Sequence, residues 1–507
     1  MNPVRDHARN AHRSVSKPAK GEGQCFGQSM PWFPLIRTTS AGPEHAFATR
    51  GGPADPGLTT LIPLAINHTH PPLSGAPPQS KYLPPMRLLP LSPALRGLAL
   101  AGLLNAAAAV QLFAVTEPAV VLRDPTVRAA LDAAKRNEPE TVELQIMLNE
   151  IPAPPFGEAV RAAELKRQFE RLGLKDVRID KEGNVLGTRP GEQPTPHIVV
   201  AAHLDTVFPE GTDVRVRREG AVLHAPGIAD DTRGLAEMLS VIRALDEGKV
   251  VTKGTITFVG TVGEEGLGDL RGVKAIFNET LKDQVDFFVA IDGGSPTSVL
   301  NTAVGSYRYR VTFKGPGGHS YGAFGLVNPT HALGRAVGKI ADLQVPTDPK
   351  TTFNVGRIGG GTSVNSIAFE SWMEIDMRSH DVASLNVIRD QIIAAIHDSV
   401  KAENARWKRG EVTVDIDLVG DRPAGSTDPE SPIVKTAQAS VRALGGLPTL
   451  STGSTDSNYP IRLGVPAVTV GRGGIGRNNH SLDESFDTTD AWKGPQNVIL
   501  LITSLAR

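Results

Sequence analysis

The chain has 507 residues, 40% of them hydrophobic, with 53 basic and 54 acidic side chains and a formal net charge of -1. That length accommodates two or three domains with real cores, while balanced charge and sparse aromatics argue against nucleic acid or an anionic membrane as partner. The single cysteine, Cys25, excludes an intrachain disulfide and a thiolate metal cluster. Residues 1–85 are rich in Pro, Gly, Ser and His, with the run HTHPPLSGAPPQS and no sustained hydrophobic period. Such a composition buries too little apolar area to offset chain entropy, so this segment is expected to be disordered.

From Met86 a basic start, MRLLPLSPALR, leads into GLALAGLLNAAAAVQLFA, the pattern of a secretory signal peptide over residues 86–115. A signal is read only at the start of a chain, so Met86 is the expected biological start and residues 1–85 an over-extended reading frame. The mature protein is then expected in the periplasm or outside the cell, with no stable membrane association after cleavage. The alternatives are an uncleaved anchor, since Gly97 to Val115 approaches spanning length, or a buried helix; a segment not read as a signal implies a cytoplasmic protein.

From about Pro125 the chain becomes regular. PTVRAALDAAKRNEPETVELQIMLNEI and GEAVRAAELKRQFERLGL carry apolar residues at helical spacing. DVRIDKEGNVLGTRP alternates and turns at Glu182-Gly183-Asn184, which predicts a hairpin. HIVVAAHLDTV is a near-continuous apolar run, the pattern of a strand buried on both faces. A helix is expected after Asp231, and GTITFVGTV and DFFVAIDGG read as further strands. Alternating strand and helix predicts an α/β layer with a largely parallel sheet. Residues 304–420 read differently: strand, helix, two strands, helix, strand, the βαββαβ ferredoxin-like plan. The α/β pattern resumes at 421–507, so the second unit is expected to be inserted into a first domain made of 120–303 and 421–507.

Several strands end on metal-binding side chains close to glycine. His203 and Asp205 sit two apart at a strand end and project to the same side; His203 is a candidate ligand, and Asp205 is placed to accept its other ring N–H. Asp230-Asp231 lies at a strand-to-helix turn, where one Asp is expected to cap the helix while the other binds. Glu264-Glu265, flanked by Gly263 and Gly266, brings two like charges together, which requires a cation or a shared proton. Asp292 ends its own strand, and His480 arrives from far downstream. Two imidazoles and at least three carboxylates, with no thiolate, suit zinc or another divalent ion in a catalytic site, with one glutamate left over as base.

The residues resemble the co-catalytic zinc exopeptidases and deacylases that include carboxypeptidase G, tripeptidase T, acetylornithine deacetylase and the aminoacylases. The matching motifs are His203-Leu-Asp205, Gly-Ile-Ala-Asp230-Asp231, Gly263-Glu264-Glu265, Ile291-Asp292-Gly293, Gly315-Pro-Gly-Gly318-His319-Ser320, Asp376-Met-Arg378, Gly453-Ser-Thr-Asp456 and His480-Ser-Leu-Asp-Glu484. They run in the family's order from about Pro125 to the C-terminus. The resemblance implies an α/β catalytic domain with an inserted ferredoxin-like dimerisation or lid domain, and two Zn2+ ions, with Co2+ or Mn2+ as substitutes. It implies Asp230 as the bridging ligand, Glu265 and His480 on one ion, and His203 and Asp292 on the other.

The resemblance further implies Glu264 as general base and a homodimer through the inserted domain, with His319 stabilising the oxyanion in the neighbouring subunit's site. Arg378 and Asn365 are implied candidates for holding a substrate carboxylate or backbone; for Arg378 a structural ion pair with Asp376 or Glu374 stays open. Many relatives carry Lys after the Asp pair, where this chain has Thr232-Arg233. Asp292, where Glu is commoner in carboxypeptidases and deacylases, resembles the tripeptidase-like aminopeptidases. The expected activity is therefore an exopeptidase on short peptides. The alternatives are an N-acyl amino acid amidohydrolase and a metal-dependent peptide-binding protein without catalysis, against which the spare Glu264 argues.

Overall fold

A computed structural model describes residues 115–507; the segment expected to be disordered and nearly all of the expected signal peptide lie outside the described residues. Among the described residues no helix is long and apolar enough to cross a membrane.

The main sheet runs in the order Lys175–Ile179, Val185–Arg189, Thr255–Thr261, His197–His203, Phe287–Ile291, Ala467–Val470, Ser298–Ala303 and Gly425–Ser426, and Thr449–Gly453 also pairs with Ser298–Ala303. The four strands from Thr255–Thr261 to Ala467–Val470 are mutually parallel. Both flanks are antiparallel, the hairpin on one side and Ser298–Ala303 against Ala467–Val470 on the other. The sheet is thus parallel at its centre and mixed overall, a departure from the largely parallel expectation. The cause is connection length: the turn around Gly183 is too short for the crossover that parallel neighbours need, and the short link from Ile291 to Ser298 likewise turns the chain back, one strand over.

Continuous apolar strands at the centre follow from burial on both faces. Ile198, Val200 and Ala202 face one cluster, shared with residues of the helices Pro125–Arg136, Thr232–Glu247 and Lys493–Leu505. Val199 and Ala201 face another, with Leu270, Val273, Ile276 and Phe277. Helix Thr232–Glu247 begins where Asp231 accepts a hydrogen bond from the Gly234 N–H at 3.2 Å. A cap of this kind contributes about 1 kcal/mol.

The chain leaves this layer after Ala303 and builds a second sheet in the order Thr351–Gly360, Glu370–Ser379, Gly305–Lys314, Thr413–Arg422, all antiparallel. Helices Pro329–Ala341 and Val382–Trp407 complete the βαββαβ plan. Along Gly305–Lys314, Val311 and Phe313 join the core with Met373, Ile375 and Met377 of the neighbouring strand. The alternate residues Arg308, Arg310, Glu374, Asp376 and Arg378 therefore share the opposite face. The last strand runs to Arg422, just past the expected boundary at 420. A smaller sheet places the hairpin of Ile475–Arg477 and Ser485–Asp487 beside Val222–His224, and the loop of that hairpin carries His480.

Candidate metal centre

Parallel strands end on the same side, so the carboxyl ends of the four central strands converge. His203 closes one of them. Its Nδ1 lies 3.0 Å from the main-chain oxygen of Asp205. A carbonyl only accepts, so Nδ1 carries a proton and Nε2 is the ring atom turned to Asp230 Oδ1, 3.2 Å away, where the neutral ring would offer its lone pair to a cation. The Asp205 carboxylate, expected to hold this ring, is 3.7 Å from Nδ1, too far for a hydrogen bond. Its oxygens accept instead from the main-chain N–H groups of Glu264 and Glu265, at 3.0 and 2.8 Å. The cause is local. The carbonyl of the same residue reaches the ring first, and the fully buried carboxylate takes two amides of the adjacent turn.

Asp230 and Asp231 divide their work. Asp231 caps the helix and also accepts from the main-chain N–H of His203 at 3.1 Å. Asp230 faces both imidazoles, its Oδ2 lying 3.3 Å from His480 Nε2, and His480 Nε2 lies 2.9 Å from Glu265 Oε1. Ligand-type atoms of His203, Asp230 and Asp292 lie within 4.8 Å of one another, as do those of Asp230, Glu265 and His480, and those of His203, Glu264 and Glu265. Asp230 is common to the first two groups. Two imidazoles and carboxylates converging in this way, around one shared carboxylate, fit a pair of divalent cations that accept nitrogen and oxygen ligands. The Asp230 loop is held from below by Glu484, whose buried carboxylate accepts from the N–H groups of Gly227, Ala229 and Asp230 at 3.1, 2.9 and 3.1 Å. Arg161, also buried, donates to Leu204 O at 2.8 Å and fixes the end of the His203 strand.

Two arginines that the sequence reading did not single out stand inside this acidic cluster. Arg472 follows the fourth central strand. Its Nη1 lies 3.3 Å from Asp230 Oδ1 and 3.1 Å from Asp231 Oδ1, its Nη2 3.8 Å from Asp292 Oδ1, and its Nε donates to Gly293 O at 3.1 Å. Arg422 donates from Nη1 to Glu264 Oε1 at 2.9 Å. The only advance signal for Arg472 was its place just past the end of a central strand.

Burial pushes Asp230 toward the neutral acid, but Arg472 and the two imidazoles outweigh it and hold its carboxyl well below the usual range. For Glu264 burial, reinforced by Glu265, outweighs Arg422 and pushes its carboxyl well up. Asp292 is raised by burial and by Asp230. Asp230 and Glu265 beside His480 push its imidazole up to about 10. A buried carboxyl of raised pKa holds a proton readily, as a general base must once it has acted.

The cavity at this centre has a volume of about 330 Å3, and Asp230, Glu264, Glu265, Asp292 and His480 are among its lining residues. Arg308, Arg378 and Arg422 also line it, with residues 451–455 where the strand Thr449–Gly453 ends. Arg378 is both a cavity residue and half of an ion pair, its Nε 2.8 Å from Asp376 Oδ2. His319 and Asn365 are absent from the lining and lie together on the inserted domain, where Gly318–His319 pairs with Ser366–Ile367. His319 Nδ1 accepts from the N–H groups of Tyr321 and Gly322, both at 3.2 Å, which leaves the ring proton on its other nitrogen. Asn365 spends its main-chain oxygen on the Ser320 N–H at 2.9 Å and its side-chain oxygen on Ser363 Oγ.

Comparison with known proteins bears on the greater part of the chain. It is similar to the uncharacterized protein YqjE of Bacillus subtilis, 27% identical over 389 residues, which cover 73% of this chain and 100% of that protein. Its structure resembles a tripeptidase of Staphylococcus aureus, with TM-score 0.60 and 25% identity over 73% of this chain and 99% of that one. It also shares the fold of the YXEP protein of Bacillus subtilis, described as a dinuclear metal binding peptidase, with TM-score 0.54 and 15% identity over 73% and 99% of the two chains. The pattern of peptidase family M20/M25/M40 matches residues 199–503, more than half of the sequence and a span that includes every candidate ligand from His203 to His480. The chain therefore belongs to peptidase family M20/M25/M40.

Proposed function

We propose that the chain is a dizinc exopeptidase acting on short peptides, of the aminopeptidase or tripeptidase type. On the reading of residues 86–115 as a signal peptide, it works in the periplasm or outside the cell. The observation that carries the proposal is the sharing of Asp230 between two three-donor groups, while Glu264, which lines the same cavity, lies in a third group with His203 and Glu265 that lacks the shared carboxylate. His203, Asp230 and Asp292 would hold one cation and Asp230, Glu265 and His480 the other. A pair of divalent ions bound there would supply an acidified water and polarise a carbonyl.

The protein's own part begins with Glu264. A carboxylate oxygen of Glu264 takes a proton from the attacking water as the new C–O bond forms, and returns it to the leaving nitrogen as the C–N bond breaks. Asp205 keeps Glu264 and Glu265 in place through their amides. Arg308 and Arg378, sharing one face of the inserted sheet, offer guanidinium groups to a peptide carboxylate. A cavity of about 330 Å3 suits a few residues rather than a folded protein. A homodimer through the inserted domain would present the ring proton of His319 to the neighbouring site, where it would act as an oxyanion donor.

A panel of tripeptides and N-acetyl amino acids, offered to the zinc-loaded protein, tests the proposal. Turnover of the tripeptides is the expected result. Turnover confined to the acylated set would reject the peptidase in favour of an amidohydrolase.

A further inference from the structure

We propose that Arg422 is a positioning residue that ties the seat of the inserted domain to the aim of Glu264. The inference rests on the reading of Glu264 as base.

The two chain crossings between the domains form a paired ribbon: Ser306 pairs with Arg422, and Ala303 with Gly425. The buried amide of Asn458 pins both crossings, donating to Val304 O at 2.8 Å and to Pro423 O at 3.1 Å. A side chain on Gly305 would come within 2.7 Å of the Ala424 nitrogen, so the ribbon is packed backbone to backbone. Arg422 closes the last strand of the inserted domain, and its guanidinium reaches across to the catalytic domain. Nη1 donates to Glu264 Oε1 at 2.9 Å and to Ser454 Oγ at 3.1 Å, while Nη2 donates to the main-chain oxygen of Glu264. Both side chains are nearly inaccessible, 4% and 6% exposed.

Neighbouring contacts hold the same stretch to the same ribbon. The Asp421 N–H donates to Asp269 Oδ1 at 2.8 Å, Lys274 Nζ donates to Asp421 O at 3.1 Å, and Arg308 Nη1 donates to Gly266 O. The segment from Glu264 to Lys274, which carries the base and one candidate ligand, is thus moored to the residues on which the inserted domain pivots. A planar fork that grips both the carboxylate and the carbonyl of one residue fixes its side-chain and main-chain torsions together, which an ammonium cannot do. A turn of the inserted domain about the ribbon would carry Arg422 with it and swing the base out of line.

The test uses the full-length, zinc-loaded protein, trialanine as substrate, and the variants Arg422→Met and Arg422→Lys. Arg422→Met is expected to lower kcat about 100-fold, with KM within about threefold of wild type and zinc content unchanged. Arg422→Lys is expected to recover part of the loss. Amide deuterium uptake across residues 262–274 should quicken in Arg422→Met and less so in Arg422→Lys, a readout that needs no turnover. Should Arg422→Met fail to fold, the same kcat loss and faster uptake in Arg422→Lys support the proposal, and their absence rejects it. A raised KM at unchanged kcat would make Arg422 a substrate contact and overturn the proposal, as would loss of zinc or unchanged uptake. Wild-type protein that cleaves no trialanine, with the uptake change still present, would leave the tether standing and reject the peptidase reading instead.

Discussion

On the inserted sheet and at the ends of the central strands, charged side chains crowd together under opposite conditions. Lys314 and Asp415 pair at 2.7 Å with about half of each side chain in solvent, and Arg357 meets Glu374 at 2.9 Å from an exposed position. Pairs of this kind contribute little, because water screens them and ordering long side chains opposes them. At the strand ends His203, Asp205, Asp231, Glu264 and Glu265 are buried, and Arg422 and Arg472 are buried with them. Removing such groups from water costs more than their mutual attraction returns. The first arrangement keeps a surface soluble. The second works against folding and persists where cations and chemistry draw on it, so burial rather than density of charge separates the site from the surface.

The sharpest way to break this comparison is at Glu264. Glu264→Gln keeps the shape and removes the proton acceptor, so turnover should fall about 1000-fold while zinc content stays at the wild-type level by elemental analysis. Surviving activity with metal intact would remove Glu264 from the mechanism. Chelation comes next. Cations that bind only the folded state stabilise it by about 4 kcal/mol at a thousandfold excess over Kd, so chelated protein should melt at lower temperature. Hydrogen exchange should locate the loss in strand ends between residues 198 and 294 and spare the sheet of residues 305–422. Equal loosening of both regions would mean that the two are not separate electrostatic environments.

Much of this division was legible in the sequence. Strand patterning gave the central strands, and short-range spacing put His203, Glu264, Glu265 and Asp292 at or just past their ends, because a parallel sheet fixes where such ends lie; Asp230 was legible from the helix start beside it. His480 was reachable only through the family's motif order, since a loop of a distant hairpin presents it. Charge partners were not legible. Nothing in Val-Gly-Arg472-Gly or Asp-Arg422-Pro distinguishes a guanidinium aimed into a carboxylate cluster from one on the surface; the difference arises from the sheet that carries each chain segment. Asp205 shows the converse limit. Its spacing from His203 correctly placed both on one side, yet which oxygen meets the ring depended on the turn at Glu264-Glu265, a contact across about sixty residues.

A smaller and more exacting test lies one layer below the cluster, at Glu237. This residue is fully buried on the helix that Asp231 caps; its Oε2 accepts from the Gly473 N–H at 3.0 Å, and its Oε1 has no partner. Arg233, a turn away, lies 3.7 Å from it but spends its fork on Glu138 at 2.7 and 3.2 Å. Burial therefore pushes the Glu237 carboxyl from 4.5 up to about 7. The folded chain keeps this proton up to about pH 7, whereas the unfolded chain releases it near 4.5, so the folded state binds more protons in between. Stability must then decline as pH rises through that window, by about 3 kcal/mol for a shift of this size. Glu237→Gln keeps the acceptor for Gly473 and removes the titration. In chelator at equal ionic strength, its urea midpoint should lie near wild type at pH 4.5 and above it at pH 8. Midpoints that run parallel between those values would mean that Glu237 stays ionised in the fold. Arg233 would then neutralise it despite the longer contact, and the buried layer beneath the cluster would behave like the exposed pairs of the inserted sheet.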